Sequence, residues 1–253
     1  MVEVEPVAGT ATATVSLPTG TALLVADYHA GLERALRYRD GVSVHSREKQ
    51  RRQRLLSVIE DTGATELIVV GDLMHSIGEP TYSERTELEA LIEAIPSRVE
   101  VTVIKGNHDG DIEQWLEGAT VHEAPGTVVD GLALSHGHTW PPEAALGASV
   151  LVIGHEHPQV RLEDSVGGAT VHRVWLRGRL DGTVIAEHLD IDPPERNPEL
   201  IVMPAFNELS GGTWINVDDE DFLVPYLPAA LYDVDAYLLD GTNLGRRETL
   251  LDA

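Results

Sequence analysis

A chain of 253 residues with 42% apolar content can bury one sizeable core, or a core with a modest extension, but hardly two full catalytic domains. Its formal charge of −24 comes from 42 acidic against 18 basic residues, of which only Lys49 and Lys105 are lysines, and this argues against broad electrostatic binding of duplex DNA. Cysteine is absent, which excludes disulfides and thiolate metal sites and leaves any transition-metal site to His, Asp, Glu and Asn.

Residues 1–20 carry Glu3 and Glu5 but no basic residue ahead of an apolar stretch, so they do not read as a secretory signal. No apolar run approaches the roughly 18 residues that a membrane-spanning helix requires. The expectation is a cytoplasmic protein with no membrane partner. Residues 21–26, 66–70, 99–104, 131–134 and 149–153 are short β-branched and aliphatic runs that end abruptly in polar residues, the pattern of buried strands. Helical patterning over 47–61 and 83–95 separates the first three, which predicts βαβ units and a largely parallel sheet. The intervening stretch 39–46, with Gly41, is expected as a loop near the strand ends. Beyond His157 the runs 169–176, 180–182 and 183–189 read as strands with tight turns, paired antiparallel. Residues 192–198 form a Pro-rich breaker, 199–205 read as another strand, and an acidic, Leu-rich tail follows. Residues 1–195 are therefore expected as a core and 196–253 as an extension docked on it.

The reactive residues fall at the ends of the five predicted strands: Asp27-x-His29, Gly71-Asp72-x-x-His75, Gly106-Asn107-His108-Asp109, His136-Gly137-His138 and Gly154-His155-x-His157. Ligand sites in such sheets form at the carboxyl ends of strands, so distant motifs can converge in one crevice. In Asp-x-His, side chains two apart point the same way if strand geometry persists, and a metal can sit between them. His155 and His157 repeat that spacing, with Gly154 expected to let the backbone turn away. Asp72 can bridge, because a carboxylate has two oxygens and can hold two cations about 3.5–4 Å apart. Asn107 adds a neutral carbonyl oxygen. With only Asp27 and Asp72 bringing negative charge to two divalent ions, the site keeps a positive surplus suited to a phosphate anion.

In this order the five motifs resemble the calcineurin-like metallophosphoesterase superfamily over residues 21–157, in particular its small archaeal phosphodiesterase-like members. That resemblance implies an α/β fold, a four-layer αββα sandwich of two mixed β-sheets flanked by helices, with a dinuclear metal site at the strand C-terminal ends. By resemblance, one cation is held by Asp27, His29, Asp72 and His157, and the other by Asp72, Asn107, His136 and His155. Manganese is the first choice of metal, and the donor set also accommodates iron or zinc. At His136-Gly137-His138 the similar Thr-His-Gly-His of short superfamily members makes His136 the ligand and leaves His138 behind it or facing substrate. The implied chemistry is in-line attack of a metal-activated water on phosphorus, with His108 as proton donor to the leaving alkoxide and Asp109 orienting its ring. His75 is placed like a histidine of the superfamily's double-strand-break repair nuclease and is expected to touch the substrate phosphate.

The implied substrate is a phosphate ester, foremost a phosphodiester of the nucleotide or nucleic-acid type, with monoesters and nucleotide pyrophosphates as alternatives. A non-catalytic scaffold, as in the superfamily's retromer coat subunit, is the competing class. Retention of His108 and all seven ligands argues against it. Arg34, Arg37 and Arg39 can meet phosphate bidentately, whereas Arg47, Arg51, Arg52 and Arg54 are expected on a solvated helix face. Asn207 and Asn216, near Gly211-Gly212, are candidates to line the cleft. The charge balance predicts a halophilic, haloarchaeal cytosol, because self-repulsion of this size is screened over about 3 Å in molar salt.

Overall fold

In a computed structural model of the chain, residues 2–38, 41–163, 166–217 and 221–251 are described, which leaves Arg39 outside. Two mixed sheets stack face to face. The first has the order β1 (Val4–Pro6), β2 (Thr12–Leu17), β3 (Gly20–Val25), β4 (Glu66–Val70), β5 (Glu100–Ile104) and β6 (Thr120–His122), parallel from β3 onward. The second comprises β7 (Thr127–Val129), β8 (Leu132–Ser135), β9 (Val150–Ile153), β10 (Gln159–Glu163), β11 (Ala169–Leu180), β12 (Glu199–Val202), β13 (Leu231–Leu238) and β14 (Asn243–Arg246), in the order β14-β13-β11-β12-β9-β8-β7 with β10 beside β11. Helices α1 (Leu32–Tyr38), α2 (Glu48–Thr62) and α3 (Tyr82–Ala94) follow strands of the first sheet. Helices α4 (Gly182–Leu189) and α5 (Arg247–Leu251) belong to the second half.

This layering explains why the strands read as continuous apolar runs. On β3 and β4, Ala22, Leu24, Ile68 and Val70 face the second sheet, where they meet Leu134, Val150, Val152, Trp175 and Ile201. Their neighbours Leu23, Val25, Leu67 and Val69 face outward and pack on Leu55, Ile59, Leu88 and Leu91 of α2 and α3. Leu151, Ile153, Leu200 and Val202 do the same for the second sheet, over Ile185 and Ala186 of α4. A strand covered on both faces has no polar side to alternate with.

Several expectations are corrected. Residues 183–189 are helix α4, not a strand: the Asp181 carboxylate accepts from Thr183 N at 3.0 Å, and Ile185 and Ala186 are buried, so capping and burial override the β-branched Thr183-Val184-Ile185 run. The N-terminal residues form the hairpin strands β1 and β2. Strands β12, β13 and β14, which follow residue 196, join the second sheet, where β12 runs parallel to β9.

Arg51 does not lie on a solvated face. It is 2% exposed, with Nη1 donating to Glu33 Oε1 at 2.7 Å and Nη2 donating to Glu33 Oε2 at 3.1 Å and to Glu87 Oε1. Glu87 Oε2 in turn accepts from Gly31 N at 2.9 Å, two residues past His29. Burial acts to raise both carboxyls: at Glu33 the bidentate guanidinium outweighs it and holds the group below its ordinary value, while at Glu87 burial prevails.

Removing the cation from this buried triad strands two carboxylates. Arg51→Met should destabilise the metal-free chain by about 3–5 kcal/mol in urea denaturation. Arg47→Ala, which breaks an exposed pair with Glu208, should cost no more than about 1 kcal/mol in the same assay.

Candidate metal centre

The motif residues converge by a route other than strand alternation. Asp27, His29, Asp72, His155 and His157 all take left-handed backbone conformations, with φ of 57°, 47°, 52°, 66° and 46°. For non-glycine residues this costs about 1–3 kcal/mol each and persists only where the surroundings enforce it. Here the enforcement is visible: Asp27 N donates to Gly71 O at 3.1 Å, His29 N to Asp72 O at 2.9 Å and His75 N to Ala30 O at 3.1 Å, so the first two motif loops are tied together. Asn207 closes the clamp from the far half of the chain. Its N donates to Asp27 O at 3.1 Å, and its Nδ2 donates to Tyr28 O and His29 O at 3.2 and 3.3 Å.

Close approach, not a turn, accounts for Gly154. A Cβ there would sit 2.9 Å from both Ala26 Cβ and Asp27 Oδ2. At Gly106 a Cβ would run into Asp72 itself. Both glycines make room for the carboxylates.

The side chains form three groups whose donor atoms lie within 4.8 Å of one another: Asp27, His29 and His157; Asp72, His136 and His155; and His29, His75 and His108. Asp72 joins the first two, because its Oδ2 is 3.7 Å from His29 Nε2 and 3.4 Å from His136 Nε2. Its Oδ1 is engaged elsewhere, accepting from His108 N at 3.0 Å. One oxygen, not two, therefore faces both groups. Asp27 Oδ1 lies 3.0 Å from His157 Nε2 and 3.9 Å from His136 Nδ1, and its Oδ2 accepts from His155 N at 3.2 Å.

Backbone carbonyls fix the histidine tautomers. His136 Nδ1 donates to Val70 O at 3.1 Å, His157 Nδ1 to Gly211 O at 2.7 Å and His108 Nδ1 to His75 O, so in each ring Nε2 is turned to the site. Burial drives His29 down to about 3, and burial with the nearby His136 drives His155 and His138 down to about 4, which leaves them neutral with a free lone pair. At His136 burial is outweighed by Asp72 and the ring is pushed up to about 9; at His157 it is outweighed by Asp27, and the ring also rises. The carboxyls mirror this: burial opposes ionisation, but His157 holds Asp27 and His136 holds Asp72 below the usual range.

The donor set fits divalent cations. Asn107 Oδ1 is buried and lacks a hydrogen-bond partner among the described residues, and it belongs to a motif set of carboxylate, amide and imidazole donors. His75 stacks on His108 with ring centroids 5.3 Å apart, and His138 lies against His136 and His155 at 5.3 and 5.9 Å.

Asp109 requires correction, because it does not orient His108. Its carboxylate is fully buried and accepts from Gly106 N at 2.8 Å and Met74 N at 3.0 Å, which joins the second and third motif loops, and burial pushes it up to about 6. Asn216 pairs with the Arg161 backbone at 3.0 and 2.9 Å rather than with the motif residues. Sequence reasoning passed over Glu156, which lies between the two histidines of its motif. It is fully buried and accepts from Thr213 Oγ1, from Leu223 N at 3.1 Å and from Val224 N at 3.0 Å. An acidic residue in the x position of His-x-His, aimed away from its neighbours, is the signal that was available.

No family model and no curated protein matches this sequence. Among solved structures, nuclease MPE from Pseudomonas putida aligns over 96% of this chain and 100% of its own, with a TM-score of 0.58 and 22% identity. YfcE, a phosphoesterase from E. coli, aligns over 57% of this chain and 74% of its own at 21% identity and a TM-score of 0.37. A Vps29 variant from Entamoeba histolytica aligns over 58% and 69% at 18% identity and a TM-score of 0.29. The likeness to nuclease MPE is one of fold: an α/β architecture of two mixed sheets flanked by helices.

Cation uptake must displace the proton that His136 holds below pH of about 9. Affinity for Mn²⁺ should therefore rise with pH, by about tenfold per pH unit for each proton released, and level off above that value. Calorimetric titrations in buffers of different ionisation enthalpy would count the protons.

Proposed function

We propose that this protein is a dinuclear-metal-dependent phosphoesterase that hydrolyses phosphodiesters of the nucleotide or nucleic-acid type. The observation that carries this reading is the pair of donor groups flanking Asp72 Oδ2, at 3.7 Å from His29 and 3.4 Å from His136. Asp27, His29, Asp72 and His157 would hold one cation and Asp72, Asn107, His136 and His155 the other. Manganese suits this thiolate-free set, as do iron and zinc. When bound, the two ions supply an activated water and neutralise charge on the phosphoryl oxygens.

The remaining steps belong to the chain. His108 Nδ1 is anchored on the His75 carbonyl, which directs Nε2 to the site, 3.8 Å from Asp72 Oδ2. From Nε2 a proton passes to the oxygen of the leaving alcohol, and the ring returns to the neutral Nδ1–H tautomer that the carbonyl already favours. His75, stacked on that ring, is assigned a contact with the substrate phosphate. Asp109 acts on the loops that carry Asn107 and His108, not on the proton. A poorly acidic leaving alcohol needs this proton, which favours diesters of ordinary alcohols over activated anhydrides.

Chelator-sensitive hydrolysis of bis(p-nitrophenyl) phosphate in excess of p-nitrophenyl phosphate is the expected result in Mn-supplemented molar KCl. His108→Ala should lower turnover of an unactivated diester by about 10²–10⁴-fold with metal content unchanged; undiminished turnover would remove His108 from the mechanism. The net charge of −24 supports a salt-rich, haloarchaeal cytoplasm. The thermal midpoint should accordingly climb between low and molar KCl, and a flat profile would contradict that origin.

A further inference from the structure

Eight of the chain's 18 basic residues fall between positions 34 and 54, against two acidic ones, in a protein whose formal charge is −24. That stretch starts beside the metal centre and ends against the 206–208 segment. Leu32 N, at the start of α1, donates to His29 O at 3.2 Å, and at about 1.5 Å rise per residue Arg34 and Arg37 follow within about 8 Å along the helix axis. At the other end Arg54 donates to Phe206 O at 2.9 Å and to Glu208, on either side of the Asn207 that clamps the Asp27–His29 loop.

The cations divide into two sets. Arg51 is consumed by Glu33 and Glu87, and Arg47 and Arg54 by Glu208. Arg34, Arg37, Lys49 and Arg52 have no carboxylate partner among the described residues, and the first three are exposed. The Arg34 guanidinium lies 4.9 Å from the centroid of the Tyr38 ring, itself 70% exposed. Arg34, Arg37 and Tyr38 line a cleft of about 150 Å³ with Gly31 and Ser83; the carboxylates that reach it are Glu33 and Glu87, both held by Arg51, and Glu48.

Cations without a carboxylate partner, on α1 beside the metal-site loop and on α2, suit an anion that continues past the reacting phosphate. An exposed aromatic face among them suits an unpaired base. The acidic remainder of the surface offers nothing to a second strand. Resting on the phosphodiesterase reading, we propose that the substrate is single-stranded nucleic acid. Its strand leaves the metal centre along α1 and residues 41–54, where Arg34, Arg37, Lys49 and Arg52 meet its phosphates and Tyr38 stacks on a base.

The test is fluorescence anisotropy of a labelled single strand of about 16 nucleotides with the chelator-treated full chain, which binds without cleaving. The double variant Arg34→Gln/Arg37→Gln should weaken binding at least tenfold and lower the salt slope by about 1.4, Tyr38→Ala should weaken it about fivefold or more, and a duplex should bind less tightly than the strand. With metal restored, the double variant's kcat/KM on the oligonucleotide should fall at least tenfold relative to that on bis(p-nitrophenyl) phosphate. Unchanged anisotropy in the double variant would overturn the proposal, as would an equal loss on both substrates, which would make these arginines mere supports of the metal loop. Binding to anionic phospholipid vesicles but not to the oligonucleotide would overturn it too. Arginine-dependent strand binding without chelator-sensitive hydrolysis would uphold the strand path and refute the catalytic reading.

Discussion

Asp27 and Asp72 are buried carboxylates at the ends of parallel strands, and among the described residues their ion-pair partners are imidazoles alone. A charge so placed is costly unless compensated. Without cations the compensation comes from the imidazoles: Asp27 favours the protonated form of His157 and Asp72 that of His136. Each of these rings stands in one of the two donor groups proposed for metal. The left-handed residues, the glycines pressed against the carboxylates and the carbonyl-anchored histidines all serve to hold these two charges where a cation can replace a proton. The backbone of the site is thus strained and its carboxylates are buried, and cation binding, as proposed, would relieve an existing electrostatic cost.

The chemistry of this site was legible because it is written in residue types. The five motifs put carboxylate, amide and imidazole donors after apolar runs, and the structure gathers the donor atoms of Asp27, His29 and His157, and those of Asp72, His136 and His155. Its geometry was not legible. Strand alternation would have aligned Asp27 with His29, but both are in the left-handed region, and that conformation is imposed by the second motif loop and by Asn207, which lies 180 positions from Asp27. Asp109 shows the same limit. Adjacency to His108 suggested that it serves the ring, whereas its oxygens are taken by backbone donors of two loops.

For the fold, the buried strands declared themselves because both faces are covered, so β3, β4, β5, β8 and β9 appear as unbroken apolar runs. Elements with weaker local signals did not. Strand β1 is only Val-Glu-Pro, β2 hides among alternating Ala and Thr, α1 is a single short helix amid arginines, and α4 carries a β-branched start that its Asp181 cap and burial against the second sheet turn helical. The Arg51 triad shows how charge can mislead: four arginines in eight positions read as a solvated face, yet one of them lies beneath α1, and burial depends on Glu33 and Glu87 arriving from other elements.

The charge distribution ties the two halves of the chain to one purpose. Asn207 holds the loop of Asp27 and His29, Glu156 accepts from Thr213 and Val224, and His157 Nδ1 donates to Gly211 O, so residues of the later half contact the motif loops. Glu208, in the same half, neutralises Arg47 and Arg54 and leaves the cations nearer α1 uncompensated. In molar salt, with a screening length of about 3 Å, the overall field of the protein neither repels nor steers a nucleic acid beyond contact range. On the proposed strand path contacts then decide: Arg34 and Arg37 have no carboxylate partner among the described residues, and Arg34 lies over the exposed Tyr38 ring.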